Sequence, residues 1–156
     1  MSITISQPTT DQVDVRGPRF AAWVTTAVLI AALLASAVSG ALAAAILGGQ
    51  AVVFAIGALR GPRRHPYGLI FANLVAPRLG PVTEREPAAP LRFAQGVGLL
   101  FAVVGTVGFL LGAPLVGVIA TAFALAAAFL NAAFGICLGC KIYPLATRLR
   151  HASESA

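Results

Sequence analysis

Four stretches of the chain, residues 20–38, 41–59, 93–111 and 115–137, contain no charged residue. A bilayer core of ~30 Å is crossed by about 20 apolar residues in an α-helix, so each stretch is long enough for one crossing. No polar domain remains that could bury four such helices in water, because 58% of the 156 residues are hydrophobic and only 10% are charged. Ala, Leu, Val, Phe and Gly run on without alternation, which selects helices over barrel strands. The expected architecture is all-α, an integral membrane four-helix bundle over residues 20–140. It is flanked by a polar N-terminal tail at 1–19 and a C-terminal tail at 141–156, with a long loop at 60–92.

A net charge of +6 raises the question of nucleic acid, and the distribution of that charge answers it. Arg16 and Arg19 precede the first run, six arginines from Arg60 to Arg92 lie between the second and third, and Lys141, Arg148 and Arg150 follow the fourth. The short connections near Ser39 and Gly112 carry none. All eleven basic residues therefore fall on one side of two membrane hairpins, and the positive-inside rule makes that side cytoplasmic. The basicity is a topology signal, with lipid rather than nucleic acid as the partner. Both termini are expected in the cytosol, in the inner membrane of a bacterium. A cleavable leader is the alternative for the first run, given Ala35-Ser36-Ala37, but the polar lead and the apolar run are both long for one.

Three amides interrupt the apolar runs. Gln50 follows Gly48-Gly49 near the middle of the second, Gln95 lies one turn inside the third, and Asn131 lies near the end of the fourth. An amide in lipid needs a partner, so each is expected to face another helix, as packing glue or as the lining of a site. Between the second and third runs, Tyr67, Ile70, Phe71 and Leu74 recur at helical spacing after Pro66, which gives either a short interfacial helix or a packed loop. Residues 77–90 read as a proline-rich connector whose Glu84 and Glu86 are solvated.

Both cysteines of the chain, Cys137 and Cys140, stand three apart where the fourth run ends. In a reducing cytosol such a pair points to redox, sulfur-handling or metal chemistry rather than to a structural disulfide. Read as the C-terminus of a membrane helix, the site disfavours thiolate, because dipole and low dielectric act together; Lys141 offsets part of this. Gly139 is then the expected left-handed cap, leaving Cys140 as the attacking thiol and Cys137 as the resolving one. If the helix continues instead, Cβ atoms ~5–6 Å apart cannot close a disulfide without local unwinding. A zinc site would need His65 and His151 to complete the pair, and their spacing is not diagnostic. The remaining alternative is that both cysteines are small apolar packing residues.

The elements Val13-Asp-Val-Arg-Gly-Pro-Arg-Phe20, Gln50-Ala-Val-Val-Phe54, Pro77-Arg-Leu-Gly80, Arg92-Phe-Ala-Gln95 and Leu130-Asn-Ala-Ala-Phe-Gly-Ile-Cys-Leu-Gly-Cys140 resemble an uncharacterised family of small bacterial membrane proteins. That family, common in actinobacteria, is domain of unknown function 4395. The resemblance implies membrane location and the cysteine motif. The neighbourhood of such proteins, with thioredoxin-like and sulfurtransferase genes, implies thiol or sulfur chemistry.

The function expected is a cytoplasmic dithiol exchanging electrons or sulfane sulfur with a thioredoxin-like or sulfurtransferase partner. A quinone or a transported sulfur species is the onward acceptor, without a sequence signature for either. The competing class is a non-enzymatic membrane subunit, assembly factor or small transporter, alone or in an oligomer, with the amides packing the bundle. No cofactor is expected. The absence of intramembrane charge speaks against a proton- or ion-coupled pump.

Overall fold

A computed structural model of the protein describes residues 11–155. In chain order the elements are β1 (Gln12–Asp14), α1 (Arg16–Ser36), α2 (Gly40–Arg60), α3 (Pro66–Ile70), β2 (Arg85–Pro87), α4 (Ala88–Leu110), α5 (Pro114–Phe134) and α6 (Leu138–Glu154). Helices α1, α2, α4 and α5 are long and apolar enough to cross a membrane. Four crossings put the α2–α4 connection, the start of α1 and the whole of α6 on one side of the bilayer. The protein is a multi-pass, all-α membrane bundle.

Side-chain size is distributed as lipid requires. Leu34, Leu110, Leu111, Leu115 and Phe123 are each more than half exposed, while much of the core is alanine, with Leu29 and Leu47 fully buried among Ala32, Ala43 and Ala102. In water the exposed leucines would be an aggregation surface; against acyl chains they are solvated, and small residues inside let the backbones approach. One close approach is between α4 and α5. A Cβ on Gly108 would lie 2.8 Å from the Gly117 backbone nitrogen, and the Phe109 ring covers Gly117.

Two of the basic residues also hold helix ends. Arg92 donates to the carbonyls of Ala58 and Leu59, at 3.1 and 2.7 Å, and Arg19 donates to Ala132 at 3.4 Å. Two guanidinium groups thus satisfy unpaired carbonyls near the ends of α2 and α5, where the helix dipole favours positive charge.

The loop between α2 and α4 is folded down onto the bundle. A 3-10 turn at Pro62–Arg64 leads into α3, which continues as a π turn at Phe71–Val75 and a 3-10 turn at Ala76–Arg78. Phe71 is buried against Phe20 of α1, ring centroids 5.8 Å apart. Of the two readings that the apolar stripe after Pro66 allowed, the helical one holds, although the segment packs as a cover on α1.

Four sequence expectations change. Of the polar tail read at residues 1–19, the part at 1–10 lies outside the described residues, but β1 pairs antiparallel with β2, Val13 opposite Glu86, and α1 already begins at Arg16. This pairing half-buries Glu86, whose pKa is raised by desolvation and by Glu84, so that carboxylate is not simply solvated. Beside it, the Arg16 guanidinium holds the Asp14 carboxyl below its ordinary value. The expected C-terminal tail is helix up to Glu154. Finally, the fourth span stops at Phe134 rather than at residue 137, which decides the geometry of the cysteines.

Candidate functional site

The site begins with a glycine. Gly135, at φ 68°, takes the left-handed conformation that ends α5, donating its N–H to the Asn131 carbonyl at 3.0 Å, while Ile136 donates to Leu130 at 3.1 Å. Only glycine adopts this backbone without steric cost, so the membrane helix stops two residues before the first cysteine. Cys137 is then extended, with φ −84° and ψ 102°, and is the N-cap of α6. Its Sγ accepts the backbone N–H of Cys140 at 3.2 Å.

The extended Cys137 brings the two Cα atoms to 5.2 Å, and the pair is joined as a disulfide. The unwinding that closure demands is already built into residues 135–137. The left-handed cap is Gly135 and not Gly139. The cysteines therefore occupy the N-terminus of a new helix, not the C-terminus of a membrane span, and the electrostatic expectation reverses: free N–H groups and the positive end of the dipole now face sulfur.

Gly139 has another use. A Cβ there would lie 2.6 Å from Cα and Cβ of Ala94, so α6 is laid directly on the start of α4. Phe93 and Tyr143 extend the contact, ring centroids 5.8 Å apart. Pro144 lies inside α6 and has no N–H to give to the Cys140 carbonyl, so the turn that carries Cys140 lacks one rung of its ladder. Lys141 is exposed in the same turn, its backbone N–H bonded to the Cys137 carbonyl at 3.1 Å.

Cys137 lines a cavity of about 260 Å³ that runs from α6 into the bundle. Gln95 and Asn131 share its polar end, and Phe54, Phe101 and Phe123 form much of its apolar wall. Beyond Gln95 lies a second cavity of about 360 Å³, under the loop, reached by His65 and Phe71. Pro18, Ala21, Leu91 and Gln95 belong to both cavities, so they form the partition between them.

Unpaired polar atoms lie at the partition and beside it. His65 is 3% exposed, and neither ring nitrogen has a hydrogen-bond partner, nor has the buried Oε1 of Gln95. Burial pushes the His65 pKa down to about 4; the adjacent Gln95 amide opposes the shift, yet lies outside hydrogen-bond geometry. Both side chains rest on Gly57, where a Cβ would stand 2.6 Å from the His65 ring and 3.0 Å from Gln95 Cγ.

The structure thus gathers Cys137, Cys140, Gln95 and Asn131, and leaves other candidates apart. Gln50 is 1% exposed and accepts from the Tyr67 hydroxyl at 2.8 Å while donating to Thr25 at 3.5 Å, which ties α2 to α1 and α3. His151 is exposed on the last turn of α6, 3.6 Å from Glu154. A zinc set of Cys137, Cys140, His65 and His151 is not assembled, and among the described residues no three His, Cys, Asp or Glu side chains cluster. The burial of His65 against Gln95 is not signalled by the sequence, which offered His65 only as a candidate zinc ligand in an arginine- and proline-rich segment.

The family described as a domain of unknown function, DUF4395, matches residues 13–148. The chain belongs to this family. The DUF4395 match spans β1 through most of α6, so the cavity, its amides and the cysteine turn all lie within it. Neither the curated proteins nor the solved structures gave a match.

Proposed function

We propose that the protein is a membrane-held dithiol exchanger, presenting Cys137 and Cys140 on the cytoplasmic face of the inner membrane to a soluble thioredoxin-like or sulfurtransferase partner. The observation that carries this reading is the disulfide closed across the first turn of α6, with Cys137 Sγ held by the Cys140 N–H. The sidedness rests on the eleven basic residues, all on the side of α6.

The chemistry follows from which sulfur is better stabilised as an anion. A partner thiolate attacks Cys140 Sγ, the S–S bond breaks, and Cys137 leaves as a thiolate facing the helix N-terminus. Stabilising the leaving thiolate accelerates exchange. A second partner thiolate then attacks the partner's own sulfur in the mixed disulfide and releases Cys140. The partner departs oxidised, and its two protons reside on the pair. Cys140 is thus the residue that holds the mixed disulfide, and in the reverse direction, where the reduced pair attacks an oxidised partner, Cys137 is the one that resolves it. The missing rung at Pro144 lets Cys140 swing without unwinding the rest of α6.

Differential alkylation in intact cells and in inside-out vesicles tests this reading. The expected result is labelling of both thiols only from the cytoplasmic side and only after reduction, with reversible cycling by a soluble dithiol. Thiols that stay reduced and unreactive under oxidising conditions would assign the pair to packing.

A further inference from the structure

Exchange with a soluble partner leaves the pair reduced, so turnover requires a second reactant that takes two electrons and two protons. We propose, building on the exchange reading above, that the cavity beneath Cys137 binds a lipid-soluble quinone and that the reduced pair delivers its electrons to that ring.

Four features of the cavity select this chemistry. It lies within the membrane bundle, between α4 and α5, which pack tightly at Gly108 and Gly117 and leave space nearer α6. The Phe101 and Phe123 rings, centroids 5.9 Å apart, span that space, and Phe123 is 61% exposed, so an apolar tail has a lateral way out to lipid. Its wall contains no charged residue, which suits a neutral ligand. At the end nearest α6 stand Cys137 and two amides, Gln95 and Asn131.

An amide offers a donor and an acceptor, whichever way round it is set. The donor matches a quinone carbonyl, and the acceptor matches the hydroxyl of the quinol that replaces it. At about 260 Å³ the cavity is near the lower limit of ~300 Å³ for ligand sites, room for one ring and not for an isoprenoid chain.

The step balances. The Cys137 thiolate adds to the quinone ring, and the Cys140 thiolate attacks Cys137 Sγ. The S–C bond breaks with its electron pair left on the ring, and the two thiol protons finish on the ring oxygens. One disulfide and one quinol are formed from one dithiol and one quinone.

The test uses the full-length protein, reduced, in lipid nanodiscs, with a fully substituted short-tail benzoquinone, which cannot simply be arylated by thiols. Quinol formation and thiol loss are followed together, and exchange with dithiothreitol is measured separately. We expect one quinol per two thiols. In Ala127→Phe, which fills the cavity, the ratio of quinone rate to dithiothreitol-exchange rate falls at least tenfold. Ala126→Phe, on the lipid-exposed face of the same helix, keeps the ratio. If Ala127→Phe fails to fold, Gln95→Leu replaces it, with at least a fivefold rise in the quinone KM. A wild-type quinone rate no higher than that of the SDS-unfolded reduced chain, or a ratio indifferent to both substitutions, overturns the quinone site while dithiothreitol exchange persists. Loss of that exchange as well would sink the dithiol reading itself.

Discussion

The Cys140 backbone N–H donates to Cys137 Sγ across 3.2 Å, so one sulfur atom serves both as the N-cap of α6 and as the proposed leaving group of the exchange. Structure and chemistry can be separated at this atom by substitution. A serine at the cap keeps an acceptor and an alanine does not, and losing an N-cap acceptor costs about 1 kcal/mol. Under reducing conditions, Cys137→Ser is expected to unfold in detergent close to the wild-type temperature and Cys137→Ala measurably below it. Equal midpoints for the two variants would mean that the sulfur does not cap the helix.

The two single-cysteine variants are expected to behave unequally towards a soluble thiol protein. Cys137→Ser retains Cys140 without its resolving neighbour, so a mixed disulfide should accumulate at least several-fold over wild type on non-reducing gels. Cys140→Ser should accumulate little, because Cys137 lines the interior cavity. Equal trapping by both variants would remove the assignment of Cys140 as the exchanging sulfur.

Gly135 carries the turn that separates span from motif. Its φ of 68° costs an L-residue ~1–2 kcal/mol, and the backbone route to Cys137 depends on it. Gly135→Ala should lower the midpoint of thermal unfolding and decrease the oxidised fraction of Cys137 and Cys140 at a fixed redox buffer, as read by mass-shift alkylation. An unchanged oxidised fraction would show that the pair closes without this turn.

These tests fall where sequence and structure part company. The four spans were legible because charge-free length is a direct requirement of the bilayer, and the arginines mark its boundary. The end of the fourth was not, since Ile136 and Cys137 are apolar and continue the pattern past the point where Gly135 breaks the helix. Hydropathy reports what lipid tolerates, while a left-handed glycine reports what the backbone does. That single turn moved the cysteines from the negative end of one helix to the positive end of another. Asn131 and Gln95 were recognisable as amides in apolar runs, but the cavity they share with Cys137 depends on how α6 lies over α4, through Gly139 on Ala94, which no local pattern encodes.

Gly139 therefore yields a packing prediction. Adding a branched side chain would drive Cγ atoms into Ala94, whose Cα is already 2.6 Å from an ideal Cβ. Overpacking of this kind typically costs ~1–3 kcal/mol or displaces the helix. Gly139→Val should detach α6 from α4, seen as faster proteolysis after Lys141 while the four spans remain folded by circular dichroism. A compensating Ala94→Gly change should restore part of the protection.

His65 gives a prediction in pH. Folding buries the ring against Gly57, Gln95 and Tyr67, and desolvation pushes its pKa from the ordinary 6.5 to about 4. The folded state thus favours neutral imidazole, and the unfolded chain binds the proton first as pH falls. Stability from this group is fully present above pH ~6.5, is lost progressively between ~6.5 and ~4, and changes no further below, for a total on the order of 3 kcal/mol. Tyr67 does not titrate in that window, since burial raises its pKa above its ordinary value of 10.0. Chemical or thermal unfolding in micelles should show the slope between pH 6.5 and 4 in wild type and a reduced one in His65→Phe. The half-buried Glu86, whose pKa is raised, contributes with the opposite sign, because its neutral form is favoured in the folded state. The difference between wild type and His65→Phe at each pH isolates the histidine, and a difference that stays constant from pH 7 to pH 4 would show that the ring is solvated.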